Sequence, residues 1–116
     1  MTSKYLPHFL VFLLLPLACK KEKPSSPQSA CPGVDTLRVT YQNYVSDIMR
    51  QHCTSCHGGS SPSAGIRLET YTQVRQLAES GSWYRVMNEG SMPPAGKLDE
   101  CTLQKLKRWI DTGYPQ

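Results

Sequence analysis

The chain has 116 residues, 39% of them apolar, with a formal charge of +4 and a mean hydropathy of −0.43. That length suits one domain with accessory segments. The basic residues are scattered and no recognition motif accompanies them, so the sequence carries no nucleic-acid footprint.

The N-terminus reads as an export segment. Lys4 supplies a positive start, and Phe9 to Ala18 is an apolar run of ten residues. Crossing a bilayer takes roughly 20 residues, whereas a run of this length followed at once by Lys20-Lys21-Glu22-Lys23 fits a signal peptide. Residues 1–18 are therefore expected to be removed. Of the basic residues only Lys4 goes with them, which leaves the mature chain weakly basic. Leu15-Pro16-Leu17-Ala18-Cys19 resembles a bacterial lipobox in its Leu17 and Ala18 and departs from it at Pro16. The resemblance implies a diacylglycerol on Cys19, and two acyl chains make a stable membrane anchor. Lys20 stands where an inner-membrane retention signal places Asp, which favours the outer membrane. Residues 19–33 are rich in Lys, Pro, Ser and Gln and lack apolar periodicity, so they read as a flexible lipidated tether.

Residues 34–116 are the expected folded domain. Leu37, Val39 and Tyr41 alternate with polar residues, which predicts a short extended stretch. Tyr41, Val45, Ile48 and Met49 share a helical face, predicting a helix from Gln42 to Cys53. A second helix is expected from Tyr71 to Ser80, opened by a Thr70/Gln73 capping box and ended by Gly81. A short third is expected from Trp83 to Asn88. The last starts at an Asp99 cap, carries Leu103, Leu106 and Ile110 as its stripe, and closes at Gly113 and Pro115. His57 to Leu68 and Glu89 to Leu98 read as loops. The fold is thus mainly α, with four short helices. A core so small is marginal without a staple.

Cys53-Thr54-Ser55-Cys56-His57 is C-x-x-C-H, the pattern of c-type haem attachment. Two thiols at this spacing at a helix end can add to the two vinyl groups on one porphyrin edge, and the adjoining imidazole then reaches the iron. A thioredoxin-type pair would want a strand before it and a helix after it; here a helix precedes and a Gly/Ser loop follows. A zinc site would need two more ligands, and His8, Cys31, His52 and Cys101 form no recognisable second half. Met92, within Gly90-Ser91-Met92-Pro93-Pro94-Ala95-Gly96, is the candidate for the other iron position. A thioether is a soft neutral donor, and the two prolines stiffen the loop that presents it. Met49 and Met87 fall on helical apolar faces and read as core. His52 is adjacent to the attached Cys53 and is expected to stay near the haem edge.

With these residues in place the chain resembles class I (mitochondrial-type) cytochrome c domains. His52 through Gly59, Ala64 to Tyr71, Met92 to Leu98 and Leu106 to Pro115 resemble small bacterial cytochromes c, often lipoproteins or modules of larger redox proteins. The resemblance spans about residues 37–116. It implies thioether attachment at Cys53 and Cys56, axial ligation by His57 and Met92, one haem c, and packing of Val45, Ile48 and Met49 against Leu103, Leu106 and Ile110. Many family members carry a Gly-Pro-x-Leu segment whose carbonyl accepts the second imidazole proton. This chain reads Ala64-Gly65-Ile66-Arg67-Leu68 there, so the sequence does not identify that acceptor.

Of five cysteines, Cys31 and Cys101 remain. In an oxidising compartment they are expected to pair; the alternative is two separately buried thiols. The functional expectation is a non-enzymatic carrier passing single electrons between redox-protein partners in a periplasmic or cell-surface chain. Arg50, Lys97 and Lys107 are candidates to border the haem edge and steer an acidic partner. The alternatives are a haem enzyme or gas sensor with an open distal site, or a haem subunit anchored in a larger redox complex.

Overall fold

The computed structural model describes residues 31–116. The export segment, Cys19 and residues 20–30 of the tether lie outside the described residues. Those described form four helices and no strand.

The first helical segment begins where Thr40 and Asn43 cap each other. The Thr40 side chain accepts from the Asn43 N–H at 3.1 Å, and Asn43 Oδ1 accepts from the Thr40 N–H at 2.8 Å. The first turn, Tyr41–Val45, is wound as a π-helix and runs directly into α1, Ser46–His52. This is the expected first helix with a wider opening turn. Of the preceding alternation only part survives: Val39 is buried, Tyr41 is half-buried and Leu37 is 43% exposed. No partner strand exists among the described residues, so nothing holds Leu37 to the face its spacing suggested.

Helix α2 spans Tyr71–Glu79 and opens with the Thr70/Gln73 capping box, in which each side chain satisfies an orphan N–H of the other residue. Gly81, at φ 74°, turns the chain into α3, Ser82–Asn88. Helix α4, Glu100–Asp111, is capped by Asp99, which accepts from the Thr102 N–H at 3.0 Å and its hydroxyl at 2.6 Å. Those two bonds to Thr102 hold the Asp99 carboxyl below its usual range.

The core gathers Val45, Ile48 and Met49 with Val74, Trp83, Leu103, Leu106 and Trp109. The buried stripe of α4 differs from expectation at its last member. Trp109 is fully buried and Ile110 only partly so. Positions 109 and 110 both satisfy a 3.6-residue repeat counted from Leu106. The indole wins because its N–H donates to the Pro115 carbonyl at 2.8 Å, a bond that draws the C-terminal tail over it. The same carbonyl accepts from the Tyr41 N–H at 2.8 Å, so one acceptor ties the first helical turn to the tail behind the last.

A disulfide joins Cys31 to Cys101, 70 positions apart. Cys31 is 5% exposed and Val34 7%, and the Val34–Thr36 turn packs on α4. Residues 31–33, which composition alone assigns to the tether, are therefore held against the domain.

Candidate functional site

The C-terminus of α1 delivers the Cys-x-x-Cys-His segment. The N–H groups of Cys53 and Thr54 both donate to the Met49 carbonyl, at 2.8 and 2.9 Å. The Cys56 and His57 N–H groups then both donate to the Cys53 carbonyl, at 3.1 and 2.8 Å. The segment is thus a tight coil in which Cys53, Cys56 and His57 all line one cavity. Gly58 is needed to close it. A Cβ at that position would lie 2.6 Å from the Thr54 carbonyl oxygen and 3.2 Å from Glu69 Oε1. Gly58→Ala is therefore expected to cost about 1–3 kcal/mol by overpacking and to lower the yield of correctly formed site, measured by urea unfolding and by haem content.

The loop after the coil folds back on it. The Leu68 N–H donates to the His57 carbonyl at 2.9 Å, and the Gly59 N–H donates to Glu69 Oε1 at 3.1 Å. Arg67 braces the same turn by bonding the Gly59 carbonyl and pairing with Glu69 at 3.4 Å. His57 Nδ1 lies 3.2 Å from the Ile66 carbonyl. A carbonyl can only accept, so Nδ1 carries the proton and Nε2 keeps its lone pair for a metal. Ile66 supplies the acceptor that the sequence did not identify. It does so through its main chain, to which side-chain identity gives no clue.

The cavity measures about 330 Å³, within the size of small-ligand sites. Leu77, Trp83, Val86 and Met87 contribute helical wall, Ile66 and Leu68 the loop wall, and none of the lining residues is Asp, Glu, Lys or Arg. Met92, Pro93 and Pro94 also line it. The Met92 loop is pinned to the end of α3: the Ser91 and Met92 N–H groups and the Ser91 hydroxyl all donate to the Val86 carbonyl, at 3.0–3.1 Å. Pro93 is buried, while Met92 remains 39% exposed. Met49 is a core residue away from the cavity. Met87 is buried at 2% exposure, as a core residue should be, and it also lines the cavity.

The chemistry of the two thiols bears on what they do. Burial pushes the Cys53 thiol up to about 11, the opposite of the depressed value a dithiol redox catalyst requires. Among the described residues no three His, Cys, Asp or Glu side chains converge to hold a metal by themselves. An uncharged apolar cavity with two thiols, an imidazole and a thioether on its walls fits a haem macrocycle, which brings its own four nitrogen ligands.

Residues 53–96 match the family model of Planctomycete cytochrome C. This stretch is similar to a cytochrome c-type domain. The matched stretch opens on the first cysteine of the attachment motif and closes just beyond the Met92-Pro93-Pro94 loop. A cytochrome c-type domain implies covalently bound haem c and electron transfer. No curated protein and no solved structure matches the chain.

Arg50, Lys97 and Lys107 are not among the residues that line the cavity. Arg50 pairs with Asp47 at 2.8 Å, and Lys107 with Asp111 at 2.6 Å. Neither residue lines the cavity, and Lys97 lies beside Gly90. His52 does line it, next to Cys53.

Proposed function

We infer that the chain is a monohaem c-type cytochrome of class I type that passes single electrons. Cys53 and Cys56 hold the haem as thioethers, and His57 and Met92 are its axial ligands. The observation that carries this reading is the meeting of all four side chains on one apolar, uncharged cavity. When bound, the haem supplies a one-electron iron couple.

The chain's own residues set the conditions for that couple. The Ile66 carbonyl orients the His57 ring and makes it a stronger donor. The Met92 thioether favours the reduced metal. The apolar walls keep water away, which raises the cost of adding charge to the site. With both axial positions taken and no carboxylate, lysine or arginine on the walls, the site favours a carrier over an enzyme or sensor. Export, lipid attachment at Cys19, a tether and redox-protein donors and acceptors complete the proposal, on the strength of the N-terminal sequence.

Met87 and Met92 both reach the cavity, so the axial assignment has a direct test. Met92→Ala is expected to abolish the Met–iron charge-transfer band and lower the potential, whereas Met87→Leu retains the band. Loss of the band in Met87→Leu alone would transfer the ligand to α3.

A further inference from the structure

Three oxidisable rings run from the cavity to the surface. Trp83 is buried and lines the cavity. Its ring lies 6.0 Å from that of Trp109, centroid to centroid, edge to face. Trp109 is fully buried and lies 5.2 Å from Tyr114, again edge to face. Tyr114 is half-buried beside the C-terminus. A branch through Tyr41, 6.4 Å from Trp109, reaches Tyr71 at 5.5 Å. The Tyr71 hydroxyl, however, is tied up donating to the Tyr114 carbonyl at 2.8 Å. The Trp83–Trp109–Tyr114 series is the shorter way out.

Packing explains why rings are buried but not why the series joins the cavity wall to solvent without a break. Indoles and phenols are the most readily oxidised side chains after thiols. The thiols outside the disulfide among the described residues, Cys53 and Cys56, are the two that haem attachment consumes. An oxidising equivalent generated at the cavity therefore meets Trp83 first.

We propose that Trp83, Trp109 and Tyr114 form a relay that carries oxidising equivalents from the haem site to the protein surface, sparing the haem when hydrogen peroxide displaces the Met92 thioether. The proposal rests on the haem reading above. One hydrogen peroxide takes two electrons at one site, one from the reduced haem iron and one from the Tyr114 phenol by way of Trp109 and Trp83. The O–O bond breaks, the phenol's proton and one from solvent complete two waters, and the products are oxidised iron and one tyrosyl radical. Trp83 and Trp109 are oxidised and reduced in turn and end unchanged.

The test treats the reduced, haem-loaded protein with peroxide and a nitroso spin trap, mapping adducts by mass spectrometry and following haem bleaching by absorbance. The adduct is expected on Tyr114. Trp109→Phe, which keeps a buried ring but removes the oxidisable indole, is expected to lose that adduct and bleach several-fold faster. Trp83→Phe is expected to do the same and stands in should Trp109→Phe misfold. Tyr84→Phe, off the series, is expected to leave the adduct unchanged. A Tyr114 adduct undiminished in both Trp variants, or adducts elsewhere with Tyr114 unmodified, overturns the relay alone. A chain that carries no covalent haem before peroxide is added overturns the haem reading and the relay together.

Discussion

Replacing Cys31 and Cys101 together by Ser is expected to cost about 4 kcal/mol, because the bond closes a separation of 70 residues and long loops lose most entropy when closed. The consequence is local as well as global. The bond is the covalent link between the N-terminal end of the packed domain and the start of α4, where Cys31 also donates its N–H to Gln104 at 3.2 Å. Without it, the 31–36 segment is expected to come away before the helices unfold. Urea unfolding reads the global term, and amide exchange at Val34 to Leu37 reads the local one. A double variant as stable as the parent would show that packing of Val34 on α4 suffices.

Trp109→Ala is expected to be the most damaging single change, at about 3–5 kcal/mol for a fully buried Trp. The indole touches the rings of Tyr41, Trp83 and Tyr114 and donates to the Pro115 carbonyl. Its loss opens a cavity and frees the tail that fastens the Tyr41 turn. A small domain holds only about 5–15 kcal/mol in all, so the haem-free Ala variant is expected to unfold at room temperature. Trp109→Phe keeps most of the packing and gives up the hydrogen bond, about 1 kcal/mol. Thermal melts of both variants, with and without haem, check the order. Equal losses in the two would show that the hydrogen bond, and not the ring volume, carries the effect.

What the sequence made legible was short in range. The capping box at Thr70 and the cap at Asp99 involve residues three apart, and the helices they open begin within a residue of their expected starts. The helical stripes were legible because apolar spacing and burial obey the same period. Where two residues met that period equally, as at Trp109 and Ile110, only the distant Pro115 carbonyl decided. At residues 31–33 composition describes only a chain's tendency, and the Cys31–Cys101 bond pins that end to the start of α4. The pairing of Arg50 with Asp47 and of Lys107 with Asp111 was in principle visible, since both sit at helical i, i+3 or i, i+4 spacing. The acceptor for His57 was not, because a main-chain carbonyl looks the same in every residue. In the site, the attachment motif and Met92 carried the signal, whereas Trp83, Leu77 and Val86 reach the cavity only through the packing of α2 and α3.

Covalent haem on Cys53 and Cys56 is the proposal on which the rest depends. Its most direct test is haem staining on a denaturing gel, with oxidised and reduced absorption spectra, after expression alongside a haem-attachment system. A stained band with a low-spin reduced spectrum is expected, absent in Cys53→Ser/Cys56→Ser. An unstained band from a folded, disulfide-bonded protein would contradict it and leave the Cys53–His57 coil in need of another ligand.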